Sequence, residues 1–266
     1  MTRIIFLAAF IFALPLLCRS GWVIVEHTWQ AGSDEIFEST LIIQDNRIKS
    51  IDDEQILIFD LDQWLLTYVS PLKKGYWTGA PHEYLEFLKE FTLKMLEEEL
   101  ASATRYEKPA LQALYDDLKM DLELGNDAVK FIGELPVEIV MTEQADMVAG
   151  YRANRYLVYS DGTRVEEVWL TFDVDLGREY DYGEFRAFID EMSWGSMFAD
   201  YRSSSEYIHF MKSGLPMRTV EEDQFGSVVV TEVVMVDNRQ IPQSDFYPPE
   251  GYRSMGLDEL AAGIDW

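Results

Sequence analysis

Only one cysteine, Cys18, occurs in the 266 residues, and it falls within the first twenty. Beyond them the chain has no thiol and no disulfide, whatever the redox state of its compartment. Basic residues are scarce as well: 22 Lys and Arg stand against 48 Asp and Glu, a formal net charge of −26. Phosphate binding needs clustered Lys and Arg, so nucleic acid is excluded as a partner, and docking on anionic lipid is disfavoured. Three histidines, His27, His82 and His209, lie far apart, and none pairs at metal-ligand spacing. Long apolar runs are also missing after residue 20, which excludes an integral membrane protein built on spanning helices. There is no Gly-x-Ser-x-Gly elbow, no Gly-rich phosphate loop and no His-Glu-x-x-His.

One apolar run does exist, at the start. Arg3 precedes Ile4 to Cys18, fifteen residues that are almost wholly apolar, and Cys18-Arg19-Ser20 leads to Gly21. A short positive region, an apolar core and small residues before a cut describe a secretory signal peptide. The expected cleavage is between Ser20 and Gly21, and the mature chain is expected outside the cytoplasm. The run is shorter than the ~20 residues a spanning helix needs. A disulfide-free exported protein of this size suits a bacterial periplasm.

With 48% hydrophobic and 14% aromatic residues, what remains can bury a large core. Gly21–Trp29, Glu35–Gln44, Arg47–Ile51, Gln55–Asp60 and Trp64–Val69 read as a meander of strands. Asp45-Asn46 is one of its hairpin turns, and Pro71 and Gly75 end it. Helices follow. Pro81 suits a first helical position, and Tyr84, Leu88, Phe91 and Met95 recur at helical spacing with Phe87 beside them. A second helix runs from about Pro109 to Leu124.

Strands resume at Val137–Thr142 and Met147–Tyr159. An Asp161-Gly162 turn leads into Arg164–Phe172. Tyr182, Phe185, Ile189 and Met192 mark a third helix, and Ser203 with Glu206 predicts a capping box on a fourth, closed by Gly214. Leu215–Val236 reads as a final β segment, and the proline-containing tail from Asp237 reads as an irregular strap. No linker or repeat divides the chain. The order is α+β, in a single domain 21–266 with a helical insert at about 81–124.

Two strings could carry chemistry. LIFDLDQWLL at 57–66 resembles the nucleophile motif of haloacid-dehalogenase phosphatases, with Asp60 and Asp62 in the two carboxylate roles. Gln63-Trp64 replaces the Gly-Thr that motif requires, so a hairpin turn is the better reading. Asp173 and Asp175 share one face of a strand end, where they could meet a hard cation, but no EF-hand spacing or Gly-rich repeat supports this, and a solvated strand end is the better reading. No constellation argues for catalysis, and no cofactor or metal site is assigned. The apolar strands, especially Ser227–Val236, instead suggest sheet faces covered on both sides, over a filled core or a ligand cavity.

GWVIVEHTW, TLIIQDNRIK and LIFDLDQWLLTYVSPLKKGYWTG, with the later GYRANRYLVYSDGTRVEEVWLT, SGLPMRT at 213–219 and FYPPEGYRSM, resemble exported domain-of-unknown-function proteins. Those proteins are related to the LolA/LolB lipoprotein carriers. The resemblance covers most of residues 21–256 and implies an incomplete antiparallel β-barrel with helices covering its concave face. It further implies a periplasmic carrier without catalytic residues, whose hollow accepts a lipid, acyl chain or lipoprotein. The chain departs from the carriers in its length, its helical insert and its acidity. The stripe Tyr84, Phe87, Leu88, Phe91 and Met95 is the candidate lid. The rival expectation is a structural or sensory interaction module with a filled core.

Overall fold

The computed structural model describes residues 20–124, 136–192, 201–222 and 226–262. The expected leader lies outside them apart from Ser20. Six strands come first: β1 (Ser20–Gln30), β2 (Ile36–Gln44), β3 (Arg47–Ile51), β4 (Ile56–Asp60), β5 (Leu65–Ser70) and β6 (Gly75–Gly79). The helices α1 (Pro81–Ser102) and α2 (Lys108–Leu124) follow, then β7 (Val137–Val148), β8 (Tyr151–Ser160) and β9 (Thr163–Thr171). Next come α3 (Tyr182–Met192), a 3-10 turn Tyr201–Ser203 and α4 (Ser205–Met211). The chain returns through β10 (Leu215–Glu222) and β11 (Val228–Gln240), and a strap with a 3-10 turn Gln243–Phe246 leads to β12 (Arg253–Ser254) and α5 (Leu257–Ala261).

These strands make one sheet, in the order β12-β6-β5-β4-β3-β2-β1-β11-β10-β9-β8-β7. It is unclosed, and it is antiparallel throughout except where β12 joins β6. β1 pairs with β2 on one side and β11 on the other, so it links the two meanders. Hairpin registers are set by two-residue turns with both residues at positive φ: Asp45-Asn46 (50° and 56°), Ala149-Gly150 (46° and 86°) and Asp161-Gly162 (49° and 74°).

The structure corrects several boundaries. A sixth strand runs through Gly75, where the meander was expected to end. Gly75 is buried, and a Cβ there would collide with the Met255 sulfur. The Ala149-Gly150 turn separates β7 from β8, so Met147–Tyr159 is not one strand; an Ala at a left-handed position carried no turn signal. Leu215–Val236 is likewise two strands, β10 and β11. The cap of α4 is Ser204, whose Oγ accepts the Tyr207 N–H at 3.2 Å. Ser203 instead donates to Asp190 of α3 at 3.0 Å.

Directly paired residues share a face of a sheet. Trp22, Ile43, Ile48, Phe59 and Leu66 pair in sequence from β1 to β5 and form one apolar row. Onto that row packs α3. Phe188, with no exposed surface, meets Phe59 at 5.7 Å and Trp64 at 5.0 Å, and Phe185 meets Phe59 edge-on at 5.5 Å. On the other face Val23, Ile42, Ile58 and Val69 are covered by Ile241, Phe246 and Tyr252 of the strap. Lys49 ties that strap down by donating to the Asp245 carbonyl at 2.8 Å. Both-sided burial therefore holds for the start of β1. It fails for Ser227–Val236, where Val228, Val234 and Met235 are 36–43% exposed.

Candidate functional site

The α1 stripe follows from spacing, and the structure places its members unequally. The buried positions of α1 are Pro81, Leu85, Lys89 and Leu96; Tyr84, Phe87, Leu88, Phe91 and Met95 are half-buried beside them. Tyr84 stacks on Tyr68 at 6.0 Å and meets Trp77 at 6.1 Å, and burial pushes its phenol up to about 12. Phe87 and Phe91, four residues apart, stack on each other at 5.7 Å. Tyr84, Phe87 and Leu88 come together with Tyr68, Leu257, Leu260 and Ala261 around a gap of about 10 Å³, room for a single water at most. Phe91 and Met95 lie farther along the helix.

A roomier cavity, about 330 Å³, opens elsewhere, within the size range of small-ligand sites. One wall is the β9–α3 connection, with Phe172, Val174, Leu176, Tyr180 and Tyr182; the other is the end of α4 and its turn, Met211 to Gly214. Val174 and Leu176 belong to the main core, whereas Phe172 stands 53% exposed. Asp181 fixes the first wall. One of its oxygens accepts the N–H groups of Gly183 (2.7 Å) and Glu184 (3.2 Å), capping α3. It also pairs with Lys212 at 2.9 Å, which joins the two walls. Led by the Lys212 bond, these donors hold the Asp181 carboxyl below its ordinary range.

Elsewhere on β9, outside the lining of this cavity, lies a buried carboxyl that spacing did not single out. Glu166 of β9 is 3% exposed and accepts from the hydroxyls of Tyr207 (2.9 Å) and Tyr201 (3.2 Å). Burial, reinforced by neighbouring Glu221, pushes it up to about 7. Arg202 donates to Glu221 and lies over the Tyr201 ring at 4.8 Å. The sequence did hold a signal. Glu166-Glu167 places two acids in succession on one strand, so one had to point to each face. Glu167 takes the other, where Arg155 and the Trp169 indole donate to it.

Glu26 is a second perturbed carboxyl. It pairs with Val233 across β1 and β11, on the face that carries α3, and burial pushes it up to about 7. Tyr180, which lines the cavity, feels the Glu26 charge, and its phenol is pushed well above its usual range, mainly by burial.

Most of the remaining candidates are engaged in local bonding. Asp60 pairs with Arg47 at 3.2 Å and caps the Gln63 N–H at 2.9 Å; Asp62 accepts from Asn46 at 2.8 Å. The Asp-x-Asp of 60–62 is thus a β4–β5 turn, with Trp64 at φ 56°. Asp175 accepts the Gly177 N–H at 3.1 Å and pairs with Arg178. His27 bonds Glu38 and His82 bonds Glu191. Among the described residues no cluster of His, Cys, Asp and Glu could hold a metal ion. No described helix is long and apolar enough to cross a membrane. Ser20 and Gly21 open β1, paired with Gln240 and Arg239.

A family model described as a domain of unknown function (DUF4412) matches residues 136–252, the stretch holding both cavity walls and Glu166. No curated protein matches the chain. Among solved structures, it is similar to PNGF-II at 9% identity and TM-score 0.38, over 91% of this chain and 32% of that one. It is also similar to the Pseudomonas aeruginosa MucA/MucB complex structure (9% identity, TM-score 0.37, 87% of this chain and 56% of that one). To MucB alone the figures are 10% identity and TM-score 0.36, over 88% and 59%. The chain spans less than two thirds of the length of each.

Proposed function

We propose that this chain is an exported, non-catalytic binding module of the cell envelope, periplasmic in a bacterial host. In this reading residues 21–266 form a single LolA/LolB-like half-barrel that takes an apolar ligand of acyl type, free or attached to a lipoprotein. The observation that carries the reading is the cavity of about 330 Å³ between Phe172–Tyr182 and Met211–Gly214. Its walls offer Phe172, which stands exposed, with Tyr180, Tyr182 and Met211 to an apolar body, backed by Val174 and Leu176 of the core, and the Asp181–Lys212 pair lies at its edge for a polar head. Methionine and aromatic rings adapt to variable apolar shapes. The stripe Tyr84, Phe87, Leu88, Phe91 and Met95 acts in this reading as a lid that is shut, since its gap of about 10 Å³ widens only if α1 or α5 moves.

Binding of a fluorescent fatty-acid probe tests the proposal, alongside native mass spectrometry of protein purified from its own host. Saturable binding that Phe172→Ala and Met211→Ala each weaken is the expected result. Absence of both probe binding and co-purified lipid overturns it. An interaction module is the second reading, and Ile36 and Phe37 favour it, since they stand 58% and 61% exposed beside the β1–β2 turn.

A further inference from the structure

We propose that Glu166 is a proton-operated latch that holds α4 on the sheet and, through α4, the Met211–Gly214 wall of the cavity. The inference rests on the binding reading above for its purpose, but its geometry stands apart from any ligand.

The latch joins three elements. Tyr207 in α4 and Tyr201 in the preceding 3-10 turn both donate to one Glu166 oxygen, Oε2. The two phenol rings meet edge-on at 5.4 Å, so they form a unit. Tyr207 itself is 2% exposed and packs on Val158, Val168 and Leu170 of the sheet. Four residues on, Met211 begins the cavity wall, and Tyr182 of the opposite wall packs into the same cluster as Tyr207. Whatever loosens Tyr207 therefore loosens the Met211–Gly214 wall and removes a neighbour of Tyr182 on the other.

The charged and titratable neighbours set the direction. From β10, Glu221 is the direct cross-strand partner of Glu166 and opposes its ionisation. From the 3-10 turn, Arg202 favours ionisation, as do the Tyr201 and Tyr207 hydroxyls. From β8 the paired residue is Val158, which carries no charge. Burial outweighs the favourable contacts, so the closed latch prefers the protonated acid, with its pKa raised from 4.5 to about 7. An opened latch returns the carboxyl to water and its ordinary value. Opening is therefore least favoured at and below pH 4.5, grows as pH rises toward 7, and levels off above.

Amide hydrogen exchange along Ser205–Gly214, corrected for intrinsic rates, reads this directly in the ligand-free full chain. The expected result is an opening population that grows by about tenfold per pH unit between about pH 5 and 7 and then flattens. Glu166→Gln should flatten the profile, while Glu26→Gln should leave it in place. Glu221→Gln, at a partly exposed site, should shift the rise to lower pH, and it serves as the test if Glu166→Gln impairs folding. A pH-independent profile in the natural chain overturns the latch, as does an unchanged rise in Glu166→Gln. Fatty-acid probe binding in the same samples separates the two ideas: a working latch with no probe binding at any pH condemns the binding reading alone.

Discussion

The backbone carbonyl of Thr171 occupies the space where a Cβ on Gly214 would stand. This contact lets the end of β9 lie against the turn between α4 and β10, and so brings the two cavity walls together. A carbonyl in a sheet cannot rotate aside as a flexible side chain can. Gly214→Ala should cost about 1–3 kcal/mol, read as a lower urea midpoint. Gly177→Ala on the same rim meets only Asp175 at ordinary contact distance, and should leave the midpoint unchanged.

Phe188 and Phe91 should separate sharply. Phe188 is fully buried between Phe59 and Trp64, so Phe188→Ala should cost about 3–5 kcal/mol as a cavity mutation. Phe91 is half-buried, and Phe91→Ala should cost clearly less. If the α1 stripe is a lid, the Phe91 change alters fatty-acid probe binding. A loss as large as that of Phe188→Ala, without any change in probe binding, would assign the stripe to the core.

Stability should fall as pH rises from about 4.5 to about 7. Glu26 and Glu166 both have folded-state values raised from 4.5 to about 7. The folded chain thus holds protons that the unfolded chain has released, and that stabilisation disappears across this window. Glu26→Gln should flatten part of the slope. A thermal midpoint that climbs between about pH 5 and 7 would contradict the sign.

Added salt should raise the thermal midpoint at about pH 7.5. A formal net charge of −26 makes the compact state repel itself, and ions screen that repulsion over about 8–10 Å at 0.1–0.15 M. The gain from about 20 to about 300 mM sodium chloride should be smaller at about pH 5, where carboxylates begin to take up protons. An equal gain at both values would remove charge repulsion as the cause.

Asp60→Asn should abolish the ion pair with Arg47 while keeping an oxygen for the Gln63 N–H. The expected loss is about 0.5–1.5 kcal/mol, with no phosphatase activity before or after. Magnesium-dependent hydrolysis of an aryl phosphate, removed by this change, would restore a catalytic role for the turn.

Local chemistry was enough for much of the fold. Asp45-Asn46 and Asp161-Gly162 announced their hairpins because few residue pairs tolerate left-handed geometry at both positions. Apolar spacing located α1 and α3, and alternation located most strands. On α1 burial is divided: Leu85 and Leu96 go inward fully, whereas Tyr84, Phe91 and Met95 go halfway. A stripe read from spacing has no way to know which flank meets α2, α3 or the sheet. Ala149-Gly150 escaped notice because an alanine is held left-handed there by the pairing of β7 with β8, not by its own preference.

By itself the sequence determined the acidity, the absence of thiol chemistry beyond residue 20, the α+β order and the reading of Asp60-Leu61-Asp62 as a turn. Each depends on composition or on neighbours a few residues away. The site was decided by tertiary structure alone. Asp181 and Lys212 are 31 positions apart, and Glu166 and Tyr207 are 41 apart. Burial of Glu166 requires α4 to close over β9, and that desolvation, a property of the assembled fold, turns an ordinary strand carboxylate into a group that titrates near neutrality.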